Sequence, residues 1–293
     1  MRAVLGSVQR HFSLERSPRA LALLVGFLAI TWLSSAPILL ARDDGKESEA
    51  FRLTEEECER VESLFHASKV TITPDCKVEV LYDFEEDGDL ITEDWRPPVS
   101  AKKGVIRPAS GGDGASEGVS GMIIADTGEW FLHARFLPEV KVDVSFLSFT
   151  GGAKKDAVCT VFAWNKLKQR IGSNLGEQGV LLVGKSVAAP VGGSAPTISY
   201  EQKSEFGFSL AEGTFSWTTR GRERGSTSSK KALRRLGPGQ VGLVWAGRVS
   251  GCIRTFRVEG TLDLDWITDE DEGIAKRHRE WEKKRKAVEK KGR

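Results

Sequence analysis

The residues of this chain best suited to chemistry are aromatic rings with polar neighbours. Trp164 is followed by Asn165 at the end of an apolar run, Val158 to Ala163. Trp217 lies in Phe215-Ser216-Trp217-Thr218-Thr219, with Arg220 next. An indole face stacks on the C–H groups of a pyranose while an amide or guanidinium fixes its hydroxyls, the general plan of an apolar platform with a few placed polar groups. Trp164, Asn165, Trp217 and Arg220 are therefore the candidate ligand contacts. Core packing is the competing reading of each tryptophan, because one indole buries so much area. Trp95, Trp130, Trp245 and Trp266 fall where strands need bulky inward residues. Arg220 also opens a basic stretch to Arg235 with seven positive charges and one Glu, which reads as a solvated hairpin tip or, more sharply, as a contact for an anionic glycan.

Carboxylates are the next place to look. Cleavage of a glycosidic bond needs two of them, about 5 Å apart in retaining enzymes and wider in inverting ones. Glu139 and Asp143 share one side of a strand but have no third member. Asp263 and Asp265 share a face of what reads as the last strand, where a solvent-facing edge is the plainer reading. No catalytic residue is assigned. His11, His66, His133 and His278 are isolated, with no Cys or Ser partner in a catalytic context. The four cysteines, Cys58, Cys76, Cys159 and Cys252, form no C-x-x-C pair and have no His at ligand spacing, so neither a metal site nor a cofactor is expected. Cys58 and Cys76 flank a short segment and are the expected disulfide if the compartment oxidises thiols, where such a loop contributes roughly 3 kcal/mol. Four buried free thiols is the alternative.

The elements that must position these residues read as β-strands. The chain has 293 residues, 31 of them Gly, with 40% hydrophobic and 29% charged residues, which suits one large sandwich with tails. A net charge of +2 offers nothing to nucleic acid. Val78, Val80, Tyr82 and Phe84 alternate with Lys77, Glu79, Leu81 and Asp83, a half-buried strand. Similar runs follow at 103–107, 119–125, 129–137, 140–149, 157–164, 179–184, 196–201, 205–210, 213–219, 239–247 and 252–264. Gly- and Pro-rich turns separate them and no long helix intervenes, the pattern of an all-β sandwich or barrel.

Five segments result. Residues 1–19 are an N-terminal segment with four arginines. Residues 20–41 are 22 uncharged, mostly apolar residues, long enough to span a bilayer. The arginines before them place the N-terminus in the cytoplasm and the remainder outside. An uncleaved transmembrane signal anchor is the expected reading, since the apolar run exceeds a signal peptide's core; cleavage and secretion is the alternative. Residues 42–77 read as a spacer with a short helix near 54–67, opened by Thr54 as cap and Glu57 as its capping-box partner. Residues 78–267 are the β-sandwich. Residues 268–293 are a charged tail, helical or disordered; residues 276–293 carry ten Lys/Arg against three Glu, and a sharper reading has them touch anionic lipid or polymer.

Two stretches carry a family resemblance. The first is Val80-Leu81-Tyr82-Asp83-Phe84-Glu85 followed by Asp94-Trp95. The second is Gly239-Gln240-Val241-Gly242-Leu243-Val244-Trp245, then Ile253 to Gly260 and Leu262-Asp263-Leu264-Asp265-Trp266. They resemble the opening and close of the concanavalin A-like lectin/glucanase superfamily, in the laminin G-like and 3-keto-disaccharide hydrolase-like forms. The resemblance implies an antiparallel two-sheet jelly roll with its first and last strands side by side, and a curved sheet whose concave face takes sugars. The glucanases' E-x-D-x-x-E strand and the keto-disaccharide hydrolases' Asn-Ser-Gly motif do not occur here. The expected function is thus a membrane-anchored extracytoplasmic binding module with a glycan partner. A hydrolase of modified disaccharides or glycosides and a structural surface protein are the alternatives.

Overall fold

The computed structural model describes residues 50–85, 93–96, 105–108, 121–125, 127–150, 157–174, 179–183, 186–192, 204–228, 233, 236–246 and 250–291. The expected anchor at 20–41 and the expected strand at 196–201 lie outside these residues. Among the described residues no helix is long and apolar enough to cross a membrane.

A helix, α1 (Glu55–Glu62), precedes a hairpin of β1 (Lys69–Ile72) and β2 (Lys77–Asp83). Short strands β3 (Trp95–Arg96), β4 (Val105–Pro108), β5 (Met122–Ala125) and β6 (Gly128–Leu132) lead to the long β7 (Phe136–Thr150). Then come β8 (Ala157–Trp164), β9 (Gln169–Asn174), β10 (Gly179–Val183), β11 (Ser186–Gly192), β12 (Ser204–Ala211), β13 (Thr214–Thr219) and β14 (Arg222–Thr227). The chain closes with β15 (Gly239–Ala246), β16 (Ser250–Leu262), α2 (Leu264–Glu270) and α3 (Glu272–Lys291).

All pairings are antiparallel and resolve into two sheets. The first runs β1-β2-β16-β7-β12-β13-β14. The second runs β3-β6-β15-β8-β9-β10-β11. The β4–β5 hairpin extends the first sheet alongside the start of β16, and one pair, Gly239 with Phe136, joins the two sheets. The first regular strand and the last therefore lie together, Val80 opposite Val258. The sheets stack face to face, and aromatic rings cross the gap: Trp95 against Phe256 at 4.7 Å and Phe84 against Trp130 at 6.1 Å.

Period two explains the stacking. In β2, Val78, Val80 and Tyr82 are buried while Lys77 and Glu79 face out. One buried row crosses five strands as Val80, Val258, Val142, Phe208 and Trp217, and half-buried Val70 extends it onto β1. Each fully buried Val or Phe there contributes about 1.5–3 kcal/mol. The strand at β9 was not expected as one, because Ile171 is its one large apolar residue. It is held by Arg170, whose guanidinium meets both Glu129 oxygens at 2.9 and 3.0 Å and lies 5.3 Å from the Phe131 ring centre.

Four expectations change. The helix at 54–67 is capped as expected, Thr54 and Glu57 bonding each other's backbone N–H. It ends at Glu62, however, because Leu64 and Phe65 donate to carbonyls only three residues back and the His66 N–H is taken by Asp94. Residues 42–77 are not a detached spacer over their described part. Leu53, Val61 and Phe65 join the main core, and β1 adds a strand to the sheet. The last strand stops at Leu262; Asp263 precedes α2 in extended conformation and Asp265 lies in its first turn, so the two do not share a strand face. Of the two readings of the tail, its described part takes the helical one, and α3 anchors through fully buried Ile274. Cys58 and Cys76 are buried free thiols here, not a bridge. Burial pushes Cys76 up to about 11, with the neighbouring Cys58 thiol adding to the shift, so its protonated form dominates at neutral pH.

Arg170 has 6% of its side chain exposed. Glu129→Ala leaves that charge buried without its partner and is expected to cost about 3–5 kcal/mol in chemical denaturation. Loss below 1 kcal/mol would mean that the pair does not hold β9.

Candidate functional site

The outer face of the first sheet is set by the same alternation that fills the core. Residues between the buried ones face away, in two rows across six strands. One row is Thr71, Glu79, Glu259, Lys141, Ser209 and Ser216. The next is Lys69, Leu81, Arg257, Asp143, Gly207 and Thr218. Two depressions lie on this face. The larger, about 580 Å³, has Thr71, Glu79, Glu139, Lys141, Ser209 and Glu259 among its lining. The smaller, about 340 Å³, has Asp143, Ser145, Glu205, Thr218, Thr255 and Arg257. Lys141 borders both. Gly207 lies in the floor row: a Cβ there would meet the Val142 carbonyl oxygen at 2.1 Å and Asp143 Oδ1 at 2.7 Å. A side chain at that position would therefore push β12 from β7 and displace Asp143, which lines the smaller depression.

Charge on this face forms one alternating chain. Lys69 meets Glu79 at 3.3 Å, Glu79 meets Arg257 at 3.0 Å, and Arg257 meets Glu259 at 3.2 Å. Lys141 then bridges Glu259 at 3.3 Å and Asp143 at 3.0 Å. The Lys69 hydrogen bond, with the Arg257 charge behind it, holds Glu79 below the usual carboxylate range against a smaller opposing effect of burial. Burial works against the charge on Lys141, but Asp143 and Glu259 outweigh it and its pKa is raised. Ser145 and Thr255 hydroxyls meet at 2.6 Å at the end of the smaller depression. The surface is a lattice of donors and acceptors at strand spacing, suited to a ligand with many hydroxyls. A carboxyl held ionised, as Glu79 is, accepts hydrogen bonds and is a poor proton donor.

The structure separates the residues singled out in the sequence. Trp164 and Asn165 end β8 in the second sheet, whereas Trp217 and Arg220 belong to the first. Trp164 is 4% exposed and stacks on Phe162; Trp217 is 3% exposed and stacks on Phe215. Neither ring offers a face to a sugar, because both side chains fall on the inward parity of their strands. Trp95, Trp130, Trp245 and Trp266 are buried as well. Asn165 is exposed at φ 52° in the turn to β9. Arg220 is exposed at φ 53°, and with Gly221 at φ 68° it makes the tight turn between β13 and β14. Gly221 borders the smaller depression, so Arg220 alone of the four adjoins the open face. Glu139 and Asp143 do share that face, four residues apart on β7.

A second polar cluster brings together residues isolated in the sequence. Asp94, 5% exposed, accepts from the His66 backbone N–H at 2.6 Å and the Tyr82 hydroxyl at 2.8 Å, and its other oxygen lies 2.8 Å from His66 Nδ1. His133 Nε2 lies 2.7 Å from Glu270, and both histidines border one cavity of about 150 Å³. The Asp94 hydrogen bond, opposed by burial and helped by the Asp94 and Glu93 charges, raises the His66 pKa. Burial, then Asp94, pushes Tyr82 well above its ordinary value. Only the Asp94-Trp95 pair hinted at this cluster in the sequence. Among the described residues no group of three or more His, Cys, Asp or Glu is placed to hold a metal ion.

No protein-family model matches the chain, and no curated protein matches it. Solved structures similar to it are concanavalin A-like jelly rolls that act on or bind carbohydrate. A β-1,3-1,4-glucanase (lichenase) from a mouse hindgut metagenome is 8% identical with a TM-score of 0.43, over 62% of this chain and 99% of its own. The carbohydrate-binding module CBM66 of Bacillus subtilis is 13% identical with a TM-score of 0.37, over 58% and 93%. The Crh5 transglycosylase bound to NAG is 11% identical with a TM-score of 0.41, over 62% and 83%. At such identities a shared sugar chemistry does not follow, and the sandwich stands on its own strand pairing.

The His66–Asp94 contact has a pH signature. A raised folded-state pKa means that its stabilisation is fully present below the unfolded histidine value of about 6.5 and is lost as pH rises through the folded value. The wild-type thermal midpoint is expected to fall between pH 6 and pH 8, and Asp94→Asn to flatten that slope. An equal slope in both proteins would show that the pair is not proton-linked.

Proposed function

We propose that this chain is a non-catalytic glycan-binding module, held at the extracytoplasmic face of a membrane by residues 20–41. The observation that carries the reading is the open face of the first sheet, where two adjoining depressions share a floor of alternating charges and hydroxyls. Their size falls in the range of small-ligand sites. Contact there is by hydrogen bonds from Lys141, Arg257, Ser145 and Thr218, without a stacking ring. The similar structures include a carbohydrate-binding module and a glucanase, and the reading rests on the chemistry of the face itself. The ion pairs at Glu79, Glu259 and Asp143 favour binding over cleavage, since carboxylates tied to Lys or Arg are poorly placed to protonate a leaving group. The anchor reading rests on the uncharged run and the arginines before it. If that run is cleaved, the same module is secreted.

A glycan array and a hydrolysis screen test this together. The expected result is binding without product release, and a roughly tenfold or greater loss of affinity in Lys141→Ala, as for a hydrogen bond from a charged group. Gly207→Ala should weaken binding by pushing β12 from β7 and displacing Asp143, with a stability loss of about 1–3 kcal/mol that circular dichroism will register. Product release would establish the hydrolase instead. Silence on the array with both variants folded would leave a structural surface protein.

A further inference from the structure

The smaller depression has a basic rim, and a break in strand pairing makes it. Strands β13 and β14 are joined at Arg220 and Gly221, both with positive φ, and Gly221 lines the depression. The Arg220 N–H donates to the Glu205 carbonyl at 2.8 Å, which ties this turn to the start of β12. Thr218 pairs with Glu223 but Trp217 with Gly225, so Arg224 is an extra residue in a bulge. The bulge has a steric cause. The Trp217 indole lies over Gly225, where a Cβ would come within 2.4 Å of the ring. Regular pairing would set Arg224 at that place, which the ring does not allow. Arg220, Arg222 and Arg224 are all exposed, with Glu223 the one acid among them.

The two depressions therefore differ in the sign of their charge. In the smaller, Lys141 and Arg257 balance Asp143 and Glu205, and the hairpin's arginines against Glu223 leave an excess of positive charge. The larger sets Glu79, Glu139, Glu212 and Glu259 against Lys77 and Lys141, an excess of negative charge. Each excess acts over about 10 Å at 0.1 M salt. A guanidinium meets a carboxylate or a sulfate through paired N–H groups and gains less from a neutral sugar. We infer that the glycan bound by this face is anionic, carrying uronate carboxylates or ester sulfates, and that these lie at the smaller depression against Arg220, Arg222 and Arg224. The inference rests on the glycan-binding reading of the face and adds the ligand's charge and orientation. The larger depression then holds uncharged, hydroxyl-bearing units, because its carboxylates repel an acid group. Exposed arginines on an edge strand also deter pairing with other chains, and the test separates that role from binding.

The test is a glycan array probed with the full chain solubilised in detergent. It carries polygalacturonate, alginate and hyaluronate as uronates, and chondroitin sulfate and dextran sulfate as sulfates. Mannan, laminarin and dextran are the neutral glycans, and chitosan the cationic one. The expected result is binding to uronates or sulfates roughly tenfold or more tighter than to any neutral glycan, weakened by added salt. Preference for either acid group supports the inference and names the group. Arg222→Gln with Arg224→Gln is expected to weaken that binding about tenfold, as loss of charge-assisted hydrogen bonds does. Lys283→Gln with Lys284→Gln, on α3, is expected to leave it unchanged. Unchanged binding in the hairpin variant overturns the inference, and self-association of that variant would then assign the arginines to guarding the edge. Equal losses in the two variants also overturn it, since any basic segment then serves. Neutral glycans bound as tightly as acidic ones, or chitosan preferred, overturn it and leave the glycan-binding module standing. Silence across the array removes both.

Discussion

Everything on this sheet depends on strand parity. Val80, Val258, Val142, Phe208 and Trp217 lie side by side on five strands drawn from four distant parts of the chain. A slip of one residue at any junction would turn a whole strand's apolar set to solvent. The aromatic contacts across the gap hold the register from the other side, with Trp95 wedged between Tyr82, Trp130 and Phe256. The polar rows of the open face are the complement of that constraint. Lys141, Asp143, Arg257 and Glu259 are where they are because Val142 and Val258 are buried.

This parity sorts what was legible in the sequence from what was not. Alternation in Val78 to Phe84 and in the closing stretch from Gly239 was plain, and both places proved to be strands of the central region. The capping box at Thr54 and Glu57 was equally plain, being a local signal. Leu262 to Asp265 alternates too, and there the same rule misled. Asp263 leaves the sheet because its N–H goes to the Arg135 carbonyl and its carboxylate lies 2.8 Å from the Arg135 guanidinium. The tertiary contact overrides the period. Strand β9 failed in the opposite sense: Arg170 hides a charge in a strand, and only its pairing with Glu129, 41 positions earlier, makes that tolerable.

The candidate site was less legible than the fold. Attention fell on Trp164 and Trp217 because indoles bind sugars, but both are inward by parity and serve the core. The face left outward consists of residues that are individually unremarkable: a lysine, an arginine, a few acids and hydroxyls. Their significance comes from cross-strand neighbours that sequence order hides, such as Lys141 beside Glu259. The His66–Asp94–Tyr82 cluster was hidden for the same reason, since it joins the turn after α1 to β2 and to the turn before β3.

The place of β16 has a consequence for how the molecule forms. This strand is made after β2 and β7, yet it lies between them and pairs with both. Until residue 250 has been synthesised, β2 and β7 each lack the neighbour on one side and present an open row of amides and carbonyls there. Contacts so far apart in the chain are slow to close. Half of each strand's hydrogen-bonding capacity therefore stays open to other chains until β16 closes the sheet, and that interval is when the folding chain is most exposed to aggregation.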